Sequence, residues 1–342
     1  DSRAQLAAMI THGHRERFAE VIVNRVWQRY LGWGLVEPAD DWENAEASHP
    51  QLLKWLAREF LVSGYDLKHV ARLIMNSHVY QRQVDPAFTA AGEAGERVYA
   101  GPARRRLSAE QVVDSLFAVA GKEMDVEPLT LDINGRGTVV TFLNLGTPRR
   151  AWQFTSLSNE RDRPSLAIPK AQSVVDVLQT FGWRDARQDA LTRRDHEPNV
   201  LQPSALANGI VGRRIAQLSD DSAFTELALR SVDCRELVRL IYRRVLGRAP
   251  AEEELITMDQ YLCVTYANRI VKNAPQLIRQ EKVLDVSWNN HLSEEANRIK
   301  VELEKRVLAG DPLTNRLRPE WRERLEDVVY ALVNSPEFIF VP

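Results

Sequence analysis

The sequence predicts a mainly α-helical protein, a helical domain built from two related helical units with a small β-hairpin insertion. Three observations carry that reading. Apolar residues recur at helical spacing, as in FAEVIVNRVWQRYL, where Phe18, Ile22, Val26, Trp27 and Tyr30 form one stripe. Helix start and stop residues bracket such stripes. A stretch near one end, LKHVARLIMNSHVY from Leu67 to Tyr80, returns near the other as LEDVVYALVNSPEF from Leu325 to Phe338.

Gly32 and Gly34 end the first stripe. A loop with Pro38 and the carboxylates Glu37, Asp40, Asp41 and Glu43 follows. Ser48 reads as the N-cap of a helix from His49 to Val62, with Pro50 in its first turn and Gln51 at the capping-box position. Leu52, Leu53, Leu56 and Phe60 face inward with Trp55, and Gly64 closes the helix. A third helix runs from Leu67 to Asn76, and the Ala-, Gly- and Glu-rich residues 83 to 103 read as a linker. Ser108 and Gln111 frame a second capping box, opening a helix to about Ala120. VVTFLNL and AWQFTSL, β-branched and aromatic and separated by Gly-Thr-Pro, predict the hairpin. A short helix from Val174 to Phe181 precedes the charged, irregular residues 182 to 200. Helices resume at Ser204 to Leu218, Ala223 to Ser231 and Cys234 to Leu246. Pro250 and Glu252, Glu253 and Glu254 start another, the acids lying at the positive end of the helix dipole. SEEANRIKVELEKRVL is a charged amphipathic helix, and Pro319 to Val333 is the last.

The repeat reaches further. VNRVWQRYLG (Val23 to Gly32) is similar to VRLIYRRVLG (Val238 to Gly247), so one unit recurs at 23 to 80 and 238 to 338. Two such units packed face to face bury both stripes. The chain then divides into an N-terminal helical unit (1–82), a middle region with helix, hairpin and charged loops (83–235), and a C-terminal helical unit with a charged helical insert (236–342). Asn76-Ser77 and Asn334-Ser335 each fall at a helix end, where Asn suits a left-handed residue and Ser caps the next turn. Tyr80 and Phe338 then fold back on the core. His78, adjacent to Ser77, is badly placed to serve it as a base.

Composition excludes several classes. Apolar content of 44% and 27% charged residues suit a folded core, and a net charge of −2 gives no electrostatic case for nucleic acid. No apolar run approaches the roughly 20 residues of a membrane helix. The chain opens at Asp1 without a charged and apolar leader, so no signal peptide is expected in it. Cys234 and Cys263 are too few for a disulfide framework or a four-thiolate zinc site, and their pairing stays open. No haem-attachment, Walker, G-x-G-x-x-G or G-x-S-x-G motif occurs.

Two constellations carry chemistry. Arg149, Arg150, Trp152, Arg161, Arg163, Trp183, Arg193 and Arg194 lie on long charged loops. Guanidinium forks take carboxylates or phosphates and aromatic faces stack on sugars, so these residues suit an anionic glycan or a peptide carboxylate; an Arg–Asp network pinning the loops is the plainer reading. Glu37, Asp40, Asp41 and His49 offer a metal or acid/base site, as calcium proteins and glycosidases use grouped carboxylates. The structural alternative pairs Asp40 or Asp41 with Arg25, read as partly buried between Val23 and Val26, or with Arg29.

The blocks FAEVIVNRVWQRYLGWGLVEPADDW, SHPQLLKWLAREFLVSGYDLKHVARLIMNSHVYQR, RRRLSAEQVVDSL, IYRRVLGRAPAEEE and VNSPEFIFV carry a family likeness. In order, they resemble the C-terminal domain of unknown function typical of planctomycete multidomain proteins, found with a cytochrome-c-like module and a second uncharacterised domain. The likeness covers most of the chain and is loosest over about residues 120 to 235. It implies export to the periplasm or cell surface, other domains of a longer parent as partners, no cofactor in this chain, and no catalytic residues to carry over. The combined expectation is a non-catalytic binding or scaffold module contacting a protein partner or an anionic glycan. The alternative is a carbohydrate-active hydrolase or metal-binding protein using the 37–43 loop.

Overall fold

The structure, a computed structural model, describes residues 2–11, 16–82, 84, 99, 101–102, 105–127, 129–131, 143–146, 148–154, 169–183, 199–277 and 292–340. It is mainly helical and forms two compact units, residues 1–105 with 341–342, and residues 106–340.

The first unit holds α1 (Ser2–Thr11), α2 (Glu16–Leu31), α3 (Pro50–Val62), α4 (Leu67–Met75) and the short α5 (His78–Gln81). α2, α3 and α4 pack on one another because each carries an apolar stripe. Val23, Trp27 and Leu31 meet Leu53, Leu56, Phe60, Val70 and Ile74 in one cluster. Gly32, at φ 91°, ends α2 as its sequence position suggests. Gly34 does something else: a Cβ there would lie 2.6 Å from the Val36 carbonyl oxygen, so the backbone passes where a side chain cannot. Trp55 is exposed, outside the stripe.

Several expectations are corrected here. Ser48 does not cap α3. The N-cap is His49, without a side-chain bond, while Ser48 spends both its N–H and its hydroxyl on the Leu35 carbonyl. Asn76 and Asn334 are not left-handed; their φ values are −83° and −89°. The Asn334 side chain instead donates to the Tyr330 carbonyl, one of the carbonyls a helix end leaves open. Ser77 caps α5 from the Tyr80 N–H and donates back to Ile74, whereas the buried Ser335 hydroxyl finds no hydrogen-bond partner among the described residues.

The second unit is built around α6 (Ala109–Ala120). Its capping box forms as the spacing predicts, with the Gln111 N–H on Ser108 Oγ and the Ser108 N–H on Gln111 Oε1. A ribbon β1 (Leu129–Leu131) and β2 (Leu143–Gly146) follows, then α7 (Pro169–Thr180), α8 (Leu201–Asn208), α9 (Ile210–Ala216), α10 (Ala223–Arg230), α11 (Cys234–Leu246), α12 (Glu252–Met258), α13 (Glu294–Ala309) and α14 (Pro319–Val333). α7, α9 and α10 pack on α6, and α14 packs on α9 and α11. Leu116, Leu178, Ile215, Phe224, Leu237, Ile241 and Trp321 lie in one continuous cluster. One core therefore runs across residue 235, where the sequence suggested a boundary.

The predicted hairpin is not borne out: Leu143–Gly146 pairs antiparallel with Leu129–Leu131, and Thr155, Ser156 and Leu157 of AWQFTSL lie outside the described residues. Ala151–Gln153 is a 3-10 turn, because Pro148, Ala151 and Phe154 point inward every third residue rather than every second. The internal repeat is not supported either. The stripe of α2 is covered by α3 and α4, that of α11 by α10 and α14, each within its own unit. The recurring helix ends are local resemblances, without a shared packing.

Two clasps tie the second unit together. Cys234, first residue of α11, is disulfide-bonded to Cys263, last residue of a π-helical turn Asp259–Cys263, with Cα atoms 5.7 Å apart. Arg269, buried, donates to the carbonyls of Ala228, Ser231 and Tyr266 and lies 3.7 Å from the centre of the Tyr266 ring. Its charge is met by the carbonyls at the end of α10 and by aromatic faces.

Candidate functional site

The turn from Arg149 to Phe154 is held from three sides. Ala151 and Phe154 anchor it in the core. The Ala151 N–H donates to Asp114 on α6 at 2.8 Å. The N–H groups of Arg149 and Arg150 both donate to Gln153 Oε1, at 2.7 and 3.1 Å, so the side chain of the turn's last residue closes its first corner. Trp152 stands on this frame 71% exposed, with exposed Arg149 and Arg150 beside it in the chain. Trp183 differs: it packs against the core after α7. Arg161, Arg163, Arg193 and Arg194 lie outside the described residues.

The acidic loop after α2 is committed to its own fold. Glu37 Oε1 accepts from the Gly34 N–H at 2.6 Å and from Gln28 at 2.9 Å. Asp40 pairs with Arg25 at 2.9 Å, and Asp41 accepts from the Glu43 N–H. His49 lies 3.1 Å from the Ser48 hydroxyl, its ring against Tyr99. Arg25 is not the buried group expected on α2; its side chain is 45% exposed. The buried one is Asn24, 0% exposed, whose amide makes two 2.9 Å bonds with the Val36 peptide. An Asn reproduces both halves of a backbone pairing, which Arg cannot.

A third cluster was not read from the sequence. Lys122, just past α6, has a fully buried side chain. Its ammonium donates to the carbonyls of Arg214 and Gln217 at the end of α9 and to Asp311 Oδ2, at 2.7, 2.9 and 3.1 Å. Three donors meet three acceptors, so the ammonium is satisfied and has no lone pair to offer as a base. Arg214 adds its Nε to the same Asp311 oxygen at 2.9 Å. Burial pulls Lys122 below its usual range, opposed by Asp311. Burial works to raise Asp311, but the Lys122 and Arg214 cations outweigh it and hold the carboxyl below its ordinary 3.8. Beside it, a cavity of about 240 Å³ is lined by Ser219, Asp220, Asp221, Gln276, Leu277, Asp311 and Pro312. Asp220 is engaged by Thr314 and Arg316 and by the Leu277 N–H. Ser219 donates to Asp221. Lys122 and Asp311 are 189 positions apart, so no local spacing announces them.

Among the described residues, no group of three or more His, Cys, Asp and Glu is placed to hold a metal ion, and no helix is long and apolar enough to cross a membrane. What the fold defines is a helical protein with a stapled second unit and an exposed, framed aromatic turn. The family model described as PSD1, protein of unknown function (DUF1553), matches residues 2–262, and the chain belongs to that family. No curated protein and no solved structure matches it.

Proposed function

We propose that this chain is a non-catalytic binding or scaffold module of a large exported protein, touching its partner through the 149–153 turn. The observation that carries the reading is Trp152. Leaving a large apolar side chain in water costs about 25 cal/mol per Å² of exposed apolar surface, and this one is held out by a rigid frame. A protein partner or an anionic glycan fits such a surface. The disulfide supports export, because such bonds persist in oxidising compartments such as the periplasm and cell surface. The likeness to planctomycete multidomain proteins supports a longer parent, with redox chemistry in its cytochrome-c-like domains and no cofactor in this chain. The 37–43 loop favours no second reading: Glu37, Asp40 and Asp41 are each engaged by neighbouring groups of the first unit.

The test is retention of wild type and Trp152→Ala on an array of immobilised acidic glycans, neutral glycans and acidic peptides. The reading expects at least one ligand held by wild type and lost about tenfold, or 1.4 kcal/mol, in the variant, with an unchanged unfolding midpoint. Retention indifferent to Trp152, or no retention, sinks it.

A further inference from the structure

We propose that the ligand of the 149–153 turn is an acidic polysaccharide, its sugar faces stacked on the Trp152 indole and its carboxylate or sulfate groups on Arg149 and Arg150. The inference rests on the turn being the point of contact and narrows what it contacts.

Three observations select this class. The first is size. A stable protein interface uses about 20 to 30 residues a side. Here one indole stands on a short turn whose alternate faces, Pro148, Ala151 and Phe154, are spent on the core. One ring face with adjacent charges matches a sugar unit better than a protein surface.

The second is charge. Arg149 and Arg150 are exposed and make no ion pair among the described residues. Three other arginines of this unit have acidic partners: Arg214 meets Asp311, Arg248 meets Glu254 and Glu337, and Arg316 meets Asp220 and Glu226. Two neighbouring guanidinium groups without an acidic partner among the described residues suit anions, which each can grip through paired N–H groups. With 45 basic against 47 acidic residues, the chain has no broad positive field to gather a nucleic acid. A short run of acidic sugars needs only the local charge.

The third is the frame. Gln153 and Asp114 fix the backbone of the turn without any ligand. Binding then orders few groups, which suits the small contact of a sugar chain.

The intact chain is titrated with oligogalacturonate, its neutral methyl ester, a heparin-type sulfated oligosaccharide and a polyglutamate peptide. Wild type is compared with Trp152→Ala, Arg149→Gln/Arg150→Gln and, as a control in the other unit, Arg25→Gln. The expected result is binding of oligogalacturonate or the sulfated sugar, weakened about tenfold by each turn variant. It fades with rising salt, is absent for the methyl ester and is unaffected by Arg25→Gln. Which acidic sugar binds tells carboxylate from sulfate. Binding of polyglutamate alone, lost in Trp152→Ala, overturns the polysaccharide and leaves the turn as the point of contact. Equal binding of the methyl ester overturns the role given to the arginines. No Trp152-dependent binding of any probe overturns both readings.

Discussion

The first unit pairs Arg25 with Asp40 in water, whereas the second unit, beside its exposed pairs, buries one charged cluster. Arg25 and Asp40, 15 positions apart, meet at a half-exposed edge. Lys122, Arg214 and Asp311 meet in the interior, where Lys122 also satisfies the last carbonyls of a helix. At the exposed edge water competes for both charges, and such pairs are worth roughly 0 to 1 kcal/mol. In the interior neither partner can go back to water alone. Removing one leaves a buried charge uncompensated, at about 3 to 5 kcal/mol. The lesson is that ion pairs of similar length, 2.9 and 3.1 Å, do different work according to what else could solvate them.

The sharpest way to break this contrast is Lys122→Met. It removes one of the two cations on Asp311 and leaves two buried carbonyls without their donor, and urea unfolding should show a loss of about 3 to 5 kcal/mol. Arg25→Ala should cost under about 1 kcal/mol. Equal losses would abolish the distinction. Next in size is the disulfide. It closes a loop across a separation of 29 residues, so Cys234→Ser/Cys263→Ser should lower stability by about 3 to 4 kcal/mol, read by the same denaturation. In the first unit the counterpart of Lys122 is uncharged. Asn24→Ala leaves the buried Val36 peptide unpaired and should cost about 1 to 3 kcal/mol, more than Arg25→Ala on the same helix.

Acid sharpens the same comparison. The Asp311 carboxyl is depressed in the folded state, below an unfolded value of 3.8. Its contribution is therefore complete above that value and is lost as pH falls through the lower folded one. Calorimetry from pH 6 to pH 2.5 should show the wild-type midpoint dropping more steeply below about pH 4 than that of Asp311→Asn. Parallel curves would remove Asp311 from the acid response. The smallest effect is expected at the two helix ends that look alike in sequence. Ser77→Ala should cost about 1 kcal/mol, since its hydroxyl makes two bonds. Ser335→Ala should cost nothing measurable by thermal melting, since that hydroxyl makes none among the described residues.

Short spacings were legible and long ones were not. The capping box at Ser108 and Gln111 spans three positions, and Gly32 and Gly247 stand just past their helices with positive φ; residues that close together decide their own geometry. Arg25 with Asp40 could be named because one loop returns to the helix it left. Ser48 misled because a distant carbonyl, that of Leu35, outcompeted the helix for its hydroxyl. Trp152 was grouped with Trp183 because both are aromatic among arginines, whereas the inward period of Pro148, Ala151 and Phe154 separates a displayed ring from a packed one. The Lys122 cluster draws on three segments that only the tertiary fold assembles, and the disulfide on a π-helical turn that no pattern of apolar residues marks.

The disulfide has one more consequence, for the fate of the chain when it is cut. Every peptide bond from Cys234 to Cys263 lies inside a covalent ring. A protease that nicks an exposed bond there, near Ile256 for example, opens the ring without freeing a fragment. The damaged molecule keeps its mass apart from one added water, and on a denaturing gel it parts into two pieces only after a thiol is added. In a compartment rich in secreted proteases, that would let the second unit take a break in its backbone and stay in one piece.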